Sequence, residues 1–157
     1  MQMGRKLLLE RASAFGQNEE SAMTEEVKIG EELIPFEAEI TQDKIDNYAE
    51  CAFDYNPIHV DPEYAGKTPF KGTIAHGLYV LAFASGMMTR RFGKGWLCGG
   101  KLEIRWRAPV KPGDRITVKA RVVDTKIIDG KKHAVCELVW ENQKKEKVVT
   151  GTASAQL

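Results

Sequence analysis

Apolar and polar residues alternate along most of the chain after residue 100. In KLEIRWRA, the residues Leu102, Ile104 and Trp106 are separated by charged residues, and RITVKARVVD repeats the alternation. A period of two predicts β-strands that bury one face. The KPGD turn separates these two strands from each other, and the hairpin signal Asp129-Gly130 separates them from two more, in HAVCELVWE and EKVVTGTASAQL.

The first hundred residues contain helical patterns instead. TQDKIDNYAECAF has apolar residues at helical spacing and begins with Thr41, a suitable N-cap. Asp61-Pro62 predicts a short helix, because proline is favoured at the first helical position. The longest helix is predicted from His76 to Phe92, and since this segment is apolar nearly all round we expect it to be buried on most sides. One strand, over residues 27–30 and 33–40, precedes these helices.

Together these elements predict an α+β fold in which an antiparallel meander covers one long buried helix. The length of 157 residues suits a single domain with a sizeable core. Residues 1–26 differ from the rest, with a short leucine run followed by the acidic stretch NEESAMTEE. We therefore expect residues 1–26 to be a non-catalytic extension and residues 27–157 to form the domain.

Composition and charge narrow the class of protein. The net charge is +1, which argues against nucleic acid as a partner, and no apolar run approaches the roughly 18 residues of a membrane span. Three widely spaced cysteines, Cys51, Cys98 and Cys136, argue against a disulfide framework and favour a reduced, cytoplasmic setting. Residues 101–157 carry 13 Lys and Arg against 7 Asp and Glu, which could face an anionic small molecule or simply a solvated sheet.

The segment FDYNPIH is the first candidate for chemistry. Asp54 and His59 are five positions apart, so one helix would not place them on a single face, but a turn stiffened by Pro57 could bring them together. Two such groups could share a bound water and transfer its proton. The alternative is structural, because Asp and Asn commonly build turns through bonds to the backbone.

The start of the long helix is the second candidate. His76-Gly77 lies where free amides and the positive end of the helix dipole could stabilise an oxyanion, although Gly77 could equally ease a tight turn. Ser85, two turns further along, could hold a carboxylate or merely fill a packing contact. No GxSxG surrounds Ser85, and no dinucleotide, P-loop or zinc-protease motif is present. The three histidines, His59, His76 and His133, lack metal-ligand spacing.

The motif Asp54, Asn56, Pro57, Ile58 and His59, followed by HVDPEYA and GTIAHGLYVLAFASGMM, resembles the MaoC-like dehydratase family. The similarity is greatest to the (R)-specific enoyl-CoA hydratases and extends from about residue 27 to the C-terminus.

The resemblance implies a hot-dog fold, in which a curved antiparallel sheet wraps around a long helix, in a homodimer or higher homo-oligomer. It implies hydration of a trans-2-enoyl-CoA thioester to an (R)-3-hydroxyacyl-CoA without metal or other cofactor. Asp54 and His59 would be the catalytic pair. The Gly77 amide, with His76 and Asn56 nearby, would serve the thioester oxygen, and Ser85 would orient the aspartate.

The resemblance also bears on CoA binding, on the residue before Asp54 and on the alternative functions. The cations Lys101, Arg105 and Arg107 could hold the CoA phosphates, or could belong to a solvated strand face. Phe53 stands where family members often have glycine. An acyl-CoA thioesterase of the same fold, or a non-catalytic acyl-CoA-binding subunit, would be the alternative functions.

Overall fold

The computed structural model describes residues 26–157. The expected extension over residues 1–26 therefore lies, apart from its last residue, outside the described residues, and it stays a prediction. The described part contains five strands and five helices. No helix in this part is long and apolar enough to cross a membrane.

The five strands form one fully antiparallel sheet in the order β1-β3-β4-β5-β2. The strands are β1 (Phe36–Glu39), β2 (Lys101–Trp106), β3 (Arg115–Ile128), β4 (Lys131–Glu141) and β5 (Lys147–Gln156). The predicted meander holds for β3, β4 and β5, whereas β2 lies beyond β5 at the opposite edge from β1. The α+β class expected from the pattern is confirmed.

The predicted hairpin at Asp129-Gly130 is present between β3 and β4. Both residues have positive φ, 50° and 74°, as a two-residue turn between twisted strands requires. The strand expected over residues 27–30 and 33–40 is shorter than predicted. Gly30 (φ 92°) turns the chain, Glu32 forms only an isolated bridge to Arg121, and regular pairing begins with β1.

The helices are α1 (Gln42–Ala52), α2 (Pro57–Val60), α3 (Pro62–Lys67), α4 (Gly77–Phe92) and α5 (Lys94–Gly99). The Thr41 side chain caps α1 and the Asp61 side chain caps α3, as expected. Two short helices are not predicted by the pattern. Pro57 begins one turn of helix where the sequence predicts only a stiffened turn, and α5 follows the turn at Gly93.

The core lies between α4 and one face of the sheet. Side chains alternate into it from β3 and β4, and the buried Trp140 indole donates a hydrogen bond to the Val80 carbonyl at 3.1 Å. The buried residues of α4 are Val80, Phe83, Ala84, Met87, Met88 and Phe92.

The expectation that α4 is buried on most sides is confirmed, because only Leu78 and Ala82 among its residues are exposed. Leu78 is 70% exposed and Ala82 lies one turn further along, so the exposed part of α4 is a narrow stripe. This stripe begins next to Gly77.

Candidate active site

The turn after α1 holds the candidate acid–base pair. Phe53 ends α1 in the left-handed conformation (φ 55°, ψ 31°), and its N–H bonds to the Ala49 carbonyl. The following amide, that of Asp54, also donates to Ala49, at 3.1 Å. Glycine is favoured in this conformation at a helix end, which explains why a glycine would suit this position, while nothing in the structure explains the phenylalanine.

Asp54 is exposed and forms the next part of the turn. One of its carboxylate oxygens accepts from the Asn56 amide at 3.3 Å. Asn56 in turn caps α2, because its side-chain oxygen accepts from the Ile58 amide at 3.2 Å. The Asn56 side-chain oxygen is thus engaged in building the turn, and Pro57 starts the single helical turn that carries His59.

His59 is half-buried and its ring orientation is fixed. Nδ1 lies 2.8 Å from the Ile74 carbonyl oxygen, which can only accept, so Nδ1 carries the proton and donates. In the neutral ring Nε2 then has a free lone pair. Burial lowers the pKa of His59 below its usual range, with a smaller lowering from His76, while the Ile74 bond and the Asp54 carboxylate act in the opposite direction. This environment favours a base over a cation.

His76 lies beneath this pair and is 2% exposed. Its Nε2 lies 2.9 Å from the backbone oxygen of Asp54, and its ring stacks on that of His59 with centroids 3.9 Å apart. A residue so deeply buried is poorly placed to touch substrate, which is not what the sequence suggested for His76.

Gly77 begins α4 directly after His76, and no side chain caps this helix end. The first amides of a helix have no intrahelical acceptor, so this end can receive an oxyanion. A Cβ built on Gly77 would lie 2.9 Å from Cζ2 of Trp106. The indole of Trp106 therefore fills the space beside Gly77, whereas the sequence suggested that a ligand would approach closely there.

Ser85 is not paired with Asp54 in this chain. Its hydroxyl accepts from the Trp96 indole N–H at 3.1 Å. Eight residues of helix rise about 12 Å, which separates Ser85 from the end of α4 at which His76 bonds Asp54.

The three candidate CoA-binding cations lie on or just after β2. Lys101 and Arg105 are exposed, and Arg107 donates from Nε to the Thr150 hydroxyl at 3.0 Å. Arg105 and Arg107 line an open depression of about 850 Å³ on the sheet face opposite α4. None of Asp54, His59 and Gly77 lines this depression.

The structure also brings together three potential metal ligands whose spacing in the sequence does not predict a metal site. Asp54, His59 and His76 each place one potential ligand atom within 4.8 Å of the others. Nε2 of His76 is engaged with the Asp54 backbone oxygen and Nδ1 is buried, so His76 offers no exposed lone pair to an ion. The cluster suits groups that share a water better than groups that share a metal.

Sequence reasoning missed two residues of this site. Ile74 orients His59 through its backbone oxygen, which no side-chain motif signals. Trp106 belongs to an alternating strand and has the pattern of a packing residue. Its position could have been inferred from the sequence only by matching this aromatic residue with Gly77, a glycine that is remote in sequence.

Comparison with known proteins is consistent with this geometry. The family profile described as "MaoC like domain" matches residues 24–144. The 3-hydroxybutyryl-CoA dehydratase of Methylorubrum extorquens is 38% identical over 87 residues, which are 55% of this chain and 55% of that protein. The (R)-specific enoyl-CoA hydratase of Rhodospirillum rubrum is 37% identical over 94 residues, which are 59% of this chain and 63% of that protein.

The match thus spans between half and two thirds of the length of these relatives. Among solved structures, the R-hydratase PhaJ1 of Pseudomonas aeruginosa superposes with a TM-score of 0.68 at 27% identity, covering 82% of this chain and 81% of that one. The fold is the hot-dog fold of these hydratases, and the matched relatives are named hydratases and dehydratases. The chain belongs to the MaoC-like dehydratase family.

Proposed function

We propose that the protein is an (R)-specific enoyl-CoA hydratase, which adds water reversibly and syn to a trans-2-enoyl-CoA. One observation carries the proposal. His76 bonds to the Asp54 backbone and stacks on His59, and it directly precedes the uncapped start of α4. The names of the relatives support the same reaction class.

Asp54 and His59 offer two acceptors to one water. The Asp54 carboxylate is exposed, and the Nδ1 bond to Ile74 leaves Nε2 of His59 as the ring's free nitrogen. A water that donates to both groups turns an oxygen lone pair toward the β-carbon of the enoyl thioester. One group removes a proton as the new C–O bond forms, and the proton is then delivered to the α-carbon on the same face. Acid–base groups placed in this way contribute about 10²–10⁴ in rate.

The start of α4 would stabilise the charge that this addition creates. As the C–O bond forms, electron density moves to the thioester oxygen and an enolate develops. The Gly77 amide, at an uncapped helix end, is a suitable donor to that oxygen. An oriented donor of this kind is worth about 10²–10³ in rate.

Apolar side chains beside these groups suit an acyl chain. Phe53 and Tyr55 flank Asp54 and are 84% and 56% exposed, while Leu78 follows Gly77 and Trp106 lies against it, at 70% and 51% exposure. Solvent-exposed apolar surface of this extent often marks a binding site.

As part of the same proposal we assign the CoA phosphates to Lys101, Arg105 and Arg107, which would require the CoA to pass over the edge strand β2 from Gly77 toward the depression that Arg105 and Arg107 line. We also propose a cytoplasmic homodimer or higher homo-oligomer. The edge position of β2 supports this, because the outer edge of that strand could pair with a second copy.

The direct test is hydration of crotonyl-CoA, followed by loss of the enoyl absorbance and by chiral analysis of the product. Wild-type protein should yield (R)-3-hydroxybutyryl-CoA, and Asp54→Asn or His59→Gln should lower kcat by at least about 100-fold. Asp129→Asn, in the β3–β4 hairpin, and His133→Gln, at the start of β4, are matched controls that should keep the wild-type rate.

Other outcomes identify the alternatives. Release of free thiol without a 3-hydroxyacyl product would indicate a thioesterase. Binding of acyl-CoA without turnover would indicate a non-catalytic subunit. Full activity of Asp54→Asn would reject the assigned pair.

A further inference from the structure

The His76 side chain touches both parts of the acid–base turn while its backbone leads into α4. Its ring contacts that of Tyr48 on α1, with centroids 4.9 Å apart, and that of His59 on α2, at 3.9 Å. Its Nε2 reaches the backbone oxygen of Asp54 at 2.9 Å. Gly77 is the next residue along the chain. His76 therefore contacts, or is bonded to, the three residues to which the proposed reaction assigns a chemical role.

The hydrogen bond fixes the tautomer of His76. A carbonyl oxygen only accepts, so Nε2 carries the proton and donates to Asp54. In the neutral ring Nδ1 is then an acceptor. It is buried and has no hydrogen-bond partner among residues 26–157.

That unpartnered nitrogen argues against a packing role. A buried polar atom without a partner lowers stability, whereas a phenylalanine would fill a similar volume and stack on His59 without this penalty. An imidazole at this position is therefore best explained by its N–H, which donates to the Asp54 carbonyl.

We propose that His76 is a positioning residue for the reaction. Its Nε2–H holds the Asp54 backbone, and its ring supports His59, so the acid–base turn keeps a fixed place relative to the Gly77 amide. At 2% exposure His76 acts through these groups and not on the substrate. The inference rests on the proposed hydratase function for its rate measurement, but its structural part can be tested without that function.

Two substitutions distinguish the effect of the His76 N–H from the effect of its ring. His76→Phe keeps an aromatic ring against His59 and removes the donor, whereas His76→Gln supplies an amide N–H at a similar reach. With crotonyl-CoA, we expect His76→Phe to lower kcat by about 30- to 100-fold and to change KM by less than about threefold, because misplacement of reacting groups acts on the transition state. His76→Gln should recover the rate to within about fivefold of the wild type.

The pH profile distinguishes positioning from proton transfer. If His76 only positions other groups, the residual activity of His76→Phe keeps both limbs of the wild-type kcat/KM profile. Loss of a limb in His76→Phe would make His76 an acid or base and would overturn the proposal. His133→Phe is the matched control, since His133 is also a buried histidine whose Nδ1 is bonded to a backbone oxygen, at 3.0 Å, and it should keep the wild-type kcat.

Amide hydrogen exchange supplies a readout that needs no turnover. The amides of Asp54 and Asn56 lie in the turn that His76 holds, so they should exchange at least about tenfold faster in His76→Phe and near the wild-type rate in His76→Gln. Amides in the middle of β4 serve as the internal reference. Unchanged exchange in His76→Phe, or equal acceleration in both variants, would overturn the proposal. If wild-type protein does not hydrate crotonyl-CoA, the proposed function fails while this exchange result still decides the role of His76.

Discussion

The left-handed backbone at Phe53 predicts whether an alanine or a glycine at this position gives the more stable protein. Phe53 has φ 55° and ends α1, and its ring is 84% exposed, so packing within the chain compensates little for the left-handed conformation. Glycine adopts this conformation without steric penalty. Replacing Phe53 by either Ala or Gly removes the ring in both cases, and the difference between the two variants isolates the backbone.

The expected difference follows from two opposing terms. An L-residue in the left-handed region is less stable than glycine there by about 1–2 kcal/mol. Glycine gives back about 0.5–1 kcal/mol through its greater freedom in the unfolded chain. The two ranges give a difference of about 0–1.5 kcal/mol, so the free energy of unfolding of Phe53→Gly should equal or exceed that of Phe53→Ala, with a Tm higher by about 0–6 °C for a chain of this size.

Glu50 provides the matched control in the same helix. It is exposed and helical, so Glu50→Gly should be less stable than Glu50→Ala by about 1 kcal/mol, the opposite order. Urea unfolding of all four variants at one protein concentration measures both differences. If Phe53→Ala proves more stable than Phe53→Gly by about 1 kcal/mol, the order expected at Glu50, the left-handed geometry of Phe53 is refuted.

Four further predictions concern three other groups, His59, Cys136 and Gly77. Because burial lowers the pKa of His59, the acid limb of kcat/KM should have its midpoint below pH 6.5, and a midpoint above pH 7 would contradict the assignment. The same shift means that the unfolded chain binds more protons than the folded one in that range, so stability should decrease as the pH falls below 6.5 in wild type, and less so in His59→Gln. Burial raises the pKa of Cys136 to about 12, so a maleimide at neutral pH should label Cys51 and Cys98 in native protein and Cys136 only after unfolding, as read by mass spectrometry. Gly77→Ala should lose about 1–3 kcal/mol through contact with the Trp106 ring, and adding Trp106→Ala should restore most of that loss in urea unfolding; equal losses with and without Trp106 would show that the ring is not the obstacle.

Much of the fold could be predicted because its signals are local. The Thr41 and Asp61 caps, the Asp129-Gly130 turn and the strand alternation each depend on a few neighbouring residues. The position of β2 at the far edge could not be predicted, because strand order is decided by contacts between remote segments. The exposure of Leu78 at the start of α4 could not be predicted for a similar reason, since hydrophobicity indicates which residues can be buried and not which ones a single chain buries.

The residues of the candidate site also fall into those with a local signal in the sequence and those placed by contacts between remote segments. Asp54 and His59 stand out in the sequence because prolines and ionisable residues coincide there. The bond from His76 to a backbone oxygen, and the engagement of Ser85 with Trp96, depend on how α4 lies against the turn and α5. Backbone acceptors carry no residue identity, so a motif search cannot find them.

The most direct test of the account is the configuration and rate of product formation from crotonyl-CoA with wild-type protein and Asp54→Asn measured side by side. The account predicts (R)-3-hydroxybutyryl-CoA from the wild type and a rate at least about 100-fold lower from the variant. The (S) product, or equal rates from the two proteins, would contradict it.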